Sequence, residues 1–143
     1  MVAVSDAYDI RTGHAGMDLD LIHHWLSTDA YWATGRSREA VVTAAEHSLN
    51  FGTFAADGRQ VAYARVVTDH ANFAWLCDVY VDRGHRGLGL GTRLVAAVVE
   101  HLDDLGVRRT LLATNDAHGV YAGFGFGALP DPTMWMIRTP HPG

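Results

Sequence analysis

The stretch Arg86-Gly87-Leu88-Gly89-Leu90-Gly91-Thr92 most constrains what this chain can fold into. It follows the apolar run 75–81 and opens a segment in which Leu90, Leu94, Val95, Val98, Val99, Leu102 and Leu105 recur at helical spacing. A strand, a tight glycine turn and a long helix are therefore expected in succession. Glycines at 87, 89 and 91 remove side chains from one edge of the turn, so backbone N–H groups can approach an anion, and the helix N-terminus adds its positive end. Arg86 supplies a charge and Thr92 a hydroxyl. The pattern reads as a pyrophosphate cradle. A dinucleotide fingerprint would need glycine at 92, where Thr stands, and a Walker loop needs a lysine. All eleven basic residues are arginine. A plain glycine-rich connector is the remaining alternative, at the conformational cost of three alternating glycines.

Composition narrows the class. A chain of 143 residues, 48% hydrophobic, is expected to form one domain, 1–143, with a sizeable core. A net charge of -5 argues against a broad nucleic-acid surface and favours a cationic small substrate. The longest apolar runs fall short of the roughly 20 residues of a membrane span, and no basic segment followed by an apolar one opens the chain. A cytoplasmic location is expected, and the single cysteine, Cys77, agrees with a reducing compartment. Nine histidines form no metal-ligand spacing, and His23 and His24 would diverge by about 100° on a helix. No metal is expected.

Asp18 or Asp20 can cap a first helix carrying Leu21, Ile22, Trp25 and Leu26, broken over 27–35. Ser37 caps a second, with Ala40, Val41, Ala44, Ala45 and Leu49 on one face. Segments 51–55 and 61–67 are strand-like around an Asp57-Gly58 hairpin signal, and 72–81 is a third strand. The central helix stops at Gly106. A short strand over 110–113, reached by a helical crossover, should run parallel to its neighbour. A short helix over 117–122, a last strand over 134–138 and a frayed tail over 139–143 complete the reading.

This order resembles the GNAT acetyltransferase superfamily. Its [RQ]xxGx[GA] signature is matched by Arg86, Gly89 and Gly91, and its YxxxGF by Tyr121, Gly125 and Phe126, with Ala117 four residues before the tyrosine. An asparagine often found seven residues before that tyrosine is displaced by one, to Asn115, with Thr114 in its place. Asp116 is also a candidate helix cap there. The resemblance covers about residues 51–138. It implies an α/β GNAT acyl-CoA N-acyltransferase fold: a mixed, mostly antiparallel sheet with one splayed parallel strand pair, flanked by helices. It further implies acetyl-CoA as co-substrate. Backbone groups around Val79 and Val81 would pair with the pantetheine, and Arg86, Gly87, Leu88, Gly89, Leu90, Gly91 and Thr92 would grip the pyrophosphate. Asn115, Tyr121 and Phe124 would join the coenzyme contacts.

Acetyl transfer to an amine needs a neutral nucleophile, a polarised carbonyl and a proton for the departing thiolate. By resemblance Tyr121 is the general acid, and a backbone N–H near Val79 holds the carbonyl. Asp78, in an apolar strand, is the first candidate base, with an ion pair to Arg65 as its structural alternative. His118, three residues before Tyr121, is the second. Direct attack in a ternary complex is preferred to an acetyl-Cys77 intermediate. Tyr31 and Trp32 offer aromatic faces to an acceptor, and Asp29 could attract its cation. Trp135 is either core or a contact in a homodimer. The absence of lysine reflects either arginine-favouring codons or an acylating enzyme that avoids modifying itself. The reaction expected is therefore N-acetylation of a small primary amine, the alternative being a non-catalytic acyl-CoA-binding module.

Overall fold

A computed structural model describes residues 7–140, so residues 141–143 of the expected frayed tail lie outside it. The chain divides into two units, one ending at Ala113 and one beginning at Thr114.

In the first unit a five-stranded sheet runs in chain order: β1 (Tyr8–Thr12), β2 (Leu49–Ala55), β3 (Gln60–Thr68), β4 (Phe73–Val81) and β5 (Arg109–Leu111). Neighbours are antiparallel except β4 and β5, which are parallel. Tight turns can join antiparallel neighbours, whereas β4 and β5 require the helical crossover supplied by α3 (Leu90–Leu105). The sequence reading did not include β1. Its alternation of Tyr8, Ile10 and Thr12 with Asp9 and Arg11 was the available signal, and pairing with β2 makes it a strand.

Helices α1 (Leu19–Asp29) and α2 (Arg38–Glu46) precede the central strands. Their caps are those expected: Asp18 Oδ1 accepts from Leu21 N–H at 3.1 Å and Ser37 Oγ from Ala40 N–H at 3.1 Å. The break foreseen from residue 27 comes only after Asp29, because Ser27 and Thr28 turn their hydroxyls back to the carbonyls of His23 and His24 and stay helical. Leu49 lies on β2, not on the face of α2.

The sheet is sandwiched. Phe51 and Phe54 are three apart on β2 and so face opposite sides. Phe54 joins Ile22, Trp25, Leu26, Val41, Tyr63 and Tyr80 in the core under α1 and α2. Phe51 meets His101 of α3 edge-on at 5.5 Å, where Leu94, Val95, Val98 and Leu102 are buried. Burying four such side chains contributes several kcal/mol, at about 1.5–3 kcal/mol each for full burial. A Cβ on Gly52 would stand 2.8 Å from Met17 Sδ and 2.9 Å from Gln60 Nε2, so those side chains would have to shift. Polar contacts also enter this core: Tyr63 donates its hydroxyl to Asn50 Oδ1, while Asn50 Nδ2 donates to Ala45 O at 2.8 Å.

In the second unit α4 spans His118–Ala122, one residue inside the expected helix. Asp116 does not cap it: the N-cap is Ala117, without a side-chain cap bond, and Thr114 Oγ1 accepts from Ala117 N–H at 3.1 Å in the turn ahead. The strand expected over 134–138 is absent. Pro132–Met134 closes a 3-10 turn instead, with Met134 N–H bonded to Asp131 O at 3.1 Å. Met136 and Ile137 are 97% and 91% exposed. Strand preference is mostly a preference for packing on a sheet neighbour. Residues 134–138 are not among the five strands of the sheet formed by the described residues.

Candidate active site

The glycine turn has the expected backbone. Gly87 and Gly89 hold φ of +80° and +76°, a left-handed region that side chains disfavour. A Cβ at either would meet nothing within 4 Å, so internal packing is not what these glycines serve. Gly91 differs, since its Cβ would lie 3.4 Å from Val81 Cγ2 and the glycine brings α3 close to the end of β4. Gly89 is the N-cap of α3 and provides no side-chain cap, unlike Asp18 and Ser37 on the first two helices. No acidic residue occupies the first turn of α3. The N–H groups of Leu90, Gly91 and Thr92 thus meet at the positive end of a 16-residue helix. This is a fit for the phosphates of an acyl coenzyme.

Arg86 is committed elsewhere in part. Its Nε donates to Val81 O at 2.9 Å, one terminal nitrogen to Asp29 Oδ2 at 3.2 Å, and its guanidinium lies 5.2 Å above the ring of Tyr80. Asp29, expected to attract a substrate cation, is occupied by cations of the protein. Arg83 bonds both of its oxygens, Nε at 2.9 Å, and Tyr80 Oη donates at 2.6 Å. The bonds from Arg83 and then Tyr80 hold the Asp29 carboxyl well below the usual range. Burial first, and then the bond to Asp29, pushes the Tyr80 phenol up to about 12. A cleft of about 500 Å³ beside this cluster is walled by Trp25, Arg59, Tyr80 and Arg83.

β4 carries the second feature. Tyr80 pairs with Tyr63 and Cys77 with Arg65, so Asp78 and Val79 together stand opposite Ala64 alone. This is a β-bulge, and Asp78 takes it at φ +51°. Pairing of β4 with β5 ends at Trp75 and Leu111, while β4 continues to Val81. Among the described residues the edge of β4 that faces β5 has no strand partner past Trp75, and the backbone of Val79 and Val81 lies in that stretch.

The bulge puts Asp78 into the structure rather than into a groove. Its Oδ2 accepts from Arg36 at 2.7 Å and Arg65 at 2.9 Å, and its Oδ1 from Trp32 Nε1 at 2.9 Å. The residue is 4% exposed. Burial alone would raise its pKa, but Arg65 and Arg36 outweigh that and lower it. A carboxylate so held is a poor proton acceptor. Of the two expectations for Asp78, candidate base or ion pair with Arg65, the structure shows the ion pair and adds Arg36 to it. Arg36, absent from the sequence reading, comes from the other side of the chain and had no local signal. Cys77, its neighbour on the strand, is only half-buried. Burial pushes its thiol up to about 11, and its Sγ donates to Arg65 O at 3.4 Å.

Tyr31 and Trp32 are 52% and 41% exposed and meet edge-on at 5.0 Å. Their segment is rigidly closed: Gly35 N–H bonds Ser27 O, Arg36 N–H bonds Ala33 O and Thr34 Oγ1 bonds Ala30 O.

In the second unit His118 and Tyr121 lie three apart on α4, and Tyr121 packs edge-on to Phe126 at 6.0 Å. The Tyr121 carbonyl accepts from Phe124 and Phe126, closing the loop through Gly125 at φ +89°. Asn115 lies in the turn that Thr114 closes ahead of α4.

Among the described residues no group of three or more metal-ligating side chains converges, and no helix is long and apolar enough to cross a membrane. A family model described as Acetyltransferase (GNAT) family matches residues 19–126. The chain is 46% identical to a GNAT-family protein of known structure from Xanthomonas campestris pv. campestris, covering 92% of each chain with a TM-score of 0.88. It is 35% identical over 85 residues to a histone acetyltransferase of Glycine max, covering 58% of this chain and 36% of that one. It is 33% identical over 109 residues to a glucosamine 6-phosphate N-acetyltransferase of Oryza sativa subsp. japonica, covering 71% and 64%. The chain thus spans about a third of the length of the first relative and nearly two thirds of the second. With the match over three quarters of its residues and a bulged strand leading into an uncapped glycine turn, the chain belongs to the GNAT acetyltransferase family.

Proposed function

We propose that this protein transfers the acetyl group of acetyl-CoA to the primary amine of a small molecule, by direct attack in a ternary complex. The observation that carries the reading is the left-handed, uncapped entry to α3 directly after the bulged strand. Acetyl-CoA supplies a thioester, the activated acyl donor. The N–H groups of Leu90 to Thr92 bind its pyrophosphate, with Gly87 and Gly89 keeping their approach clear. The free edge of β4 past Trp75 takes the pantetheine amides as a further strand would. The Val79 N–H, turned by the bulge, receives the carbonyl oxygen and stabilises its developing charge.

The amine nitrogen forms its bond to the acyl carbon as the carbon–sulfur bond breaks. The amine proton passes to His118 or to water, and Tyr121 returns a proton to sulfur. Asp78 takes no proton; it positions Arg36, Arg65 and Trp32 at the bulge. Cys77, with its thiol pushed up and bonded, is not a nucleophile in this scheme.

The test pairs calorimetric titration of acetyl-CoA with a thiol-release assay over an amine panel. Binding with turnover of at least one amine is expected. Binding with no turnover would favour the non-catalytic acyl-CoA module, and no binding would end both readings.

A further inference from the structure

Two guanidiniums converge on one carboxylate at the β4 bulge. Arg36, Arg65 and Asp78 together carry one excess positive charge, and the side chains of the arginines are only 25% and 14% exposed. A partly buried charge without a counter-charge is unfavourable unless something compensates it. Arg65 is the more buried of the two and makes two bonds, with Nε on Asp78 and a terminal nitrogen on Ser48 Oγ at 3.0 Å. Arg36 reaches Asp78 through one terminal nitrogen, and its fork has further N–H groups to offer. It sits at the end of the closed segment that presents Tyr31 and Trp32. Asp78 at its centre holds a left-handed φ unusual for a residue other than glycine, and such strain gathers at functional sites.

We infer that the acceptor is an amine that also bears an acidic group, a carboxylate or a phosphate, and that Arg36 docks that group. This rests on the proposed acetyl transfer and names the substrate class for it. Net charge across the chain suggested a cationic acceptor, but the acids that would draw one, Asp29 and Asp78, are both already held by arginines. The local excess is positive. An anion on Arg36 completes the neutralisation that Asp78 begins, and the planar fork suits either oxyanion. Tyr31 and Trp32 then flank the remainder of the acceptor.

The experiment compares matched amines that differ only in the acid. L-phenylalanine against phenethylamine forms the carboxylate arm, and phosphoethanolamine against ethanolamine the phosphate arm. Each is titrated calorimetrically into the protein with CoA present and assayed for turnover with acetyl-CoA. Preference for the acidic member by about tenfold or more in one arm is expected, and the preferred arm names the acid. Arg36→Gln should reduce the ratio to near one, while Arg36→Lys keeps part of it. A wild-type ratio at or below one in both arms, or a ratio unchanged in Arg36→Gln, overturns the inference. If no amine is turned over, the acetyl-transfer reading falls while the binding ratios still decide this one.

Discussion

The indole Nε1 of Trp32 donates to Asp78 Oδ1 at 2.9 Å across 46 residues of chain. This bond fastens the segment after α1 to the bulge of β4, so a loop that sequence alone treats as a break is part of the candidate site. The same carboxylate orders Arg36 and Arg65, and four side chains share one fixed geometry.

Asp78→Asn retains the shape and removes the charge, leaving two partly buried guanidiniums without a counter-charge. The expected loss is about 3 kcal/mol, read as a lower urea midpoint at pH 7. The pH dependence has a definite sign. The folded carboxyl titrates below the 3.8 of the unfolded chain, so its contribution is fully present at neutral pH. It declines as the pH falls below that value and is lost beneath the folded one. Asp78→Asn should flatten this acid-side slope, and an identical slope in both proteins would refute the assignment.

Gly89→Ala and Gly89→Glu separate strain from ligand binding. A Cβ at this position meets nothing within 4 Å, so alanine is expected to lose only about 1 kcal/mol for its left-handed backbone. Glutamate adds a negative charge at the cradle and should abolish measurable acetyl-CoA binding by calorimetry. Unchanged affinity in the glutamate variant would remove the pyrophosphate assignment.

Tyr121→Phe should reduce kcat by about 10²–10⁴ with little change in coenzyme affinity, the range for loss of a general acid. Steady-state kinetics across pH check it. Normal turnover at every pH would take Tyr121 out of the mechanism.

Cys77→Ala is expected to keep turnover, because a thiol raised to about 11 carries almost no thiolate at neutral pH. Mass spectrometry after incubation with acetyl-CoA should find no acylated Cys77. An acetyl-cysteine that forms and decays with turnover would replace direct attack by a two-step scheme.

The acid-side behaviour of Asp69 gives an independent check on local geometry. Backbone N–H groups of Asn72, Phe73 and Ala71 bond its carboxylate in the turn before β4 and hold its pKa to about 2. Carboxyl carbon shifts followed by NMR should show a midpoint near that value, and one near 3.8 would mean that the turn is open.

What the sequence determined by itself was local. Caps at Asp18 and Ser37, the period of α3, its stop at Gly106 and the left-handed glycines each follow from residues within a turn or two of one another. Backbone sterics and helix-end hydrogen bonding act at that range, so the glycine turn and its uncapped lead into α3 were legible. The partners of the charges were not. The Arg65 pair of Asp78 was foreseen only as an alternative, and Arg36 and Arg83 not at all, because Arg36 lies 42 residues from Asp78 and Arg83 54 from Asp29. The bulge at Asp78, the pairing of β1 and the absence of a strand over 134–138 likewise depend on which chain segment comes alongside. Electrostatic pairing and strand register are set by neighbours in space. Only the folded sheet decided that the acids beside the cradle are already neutralised and that the charge left over is positive.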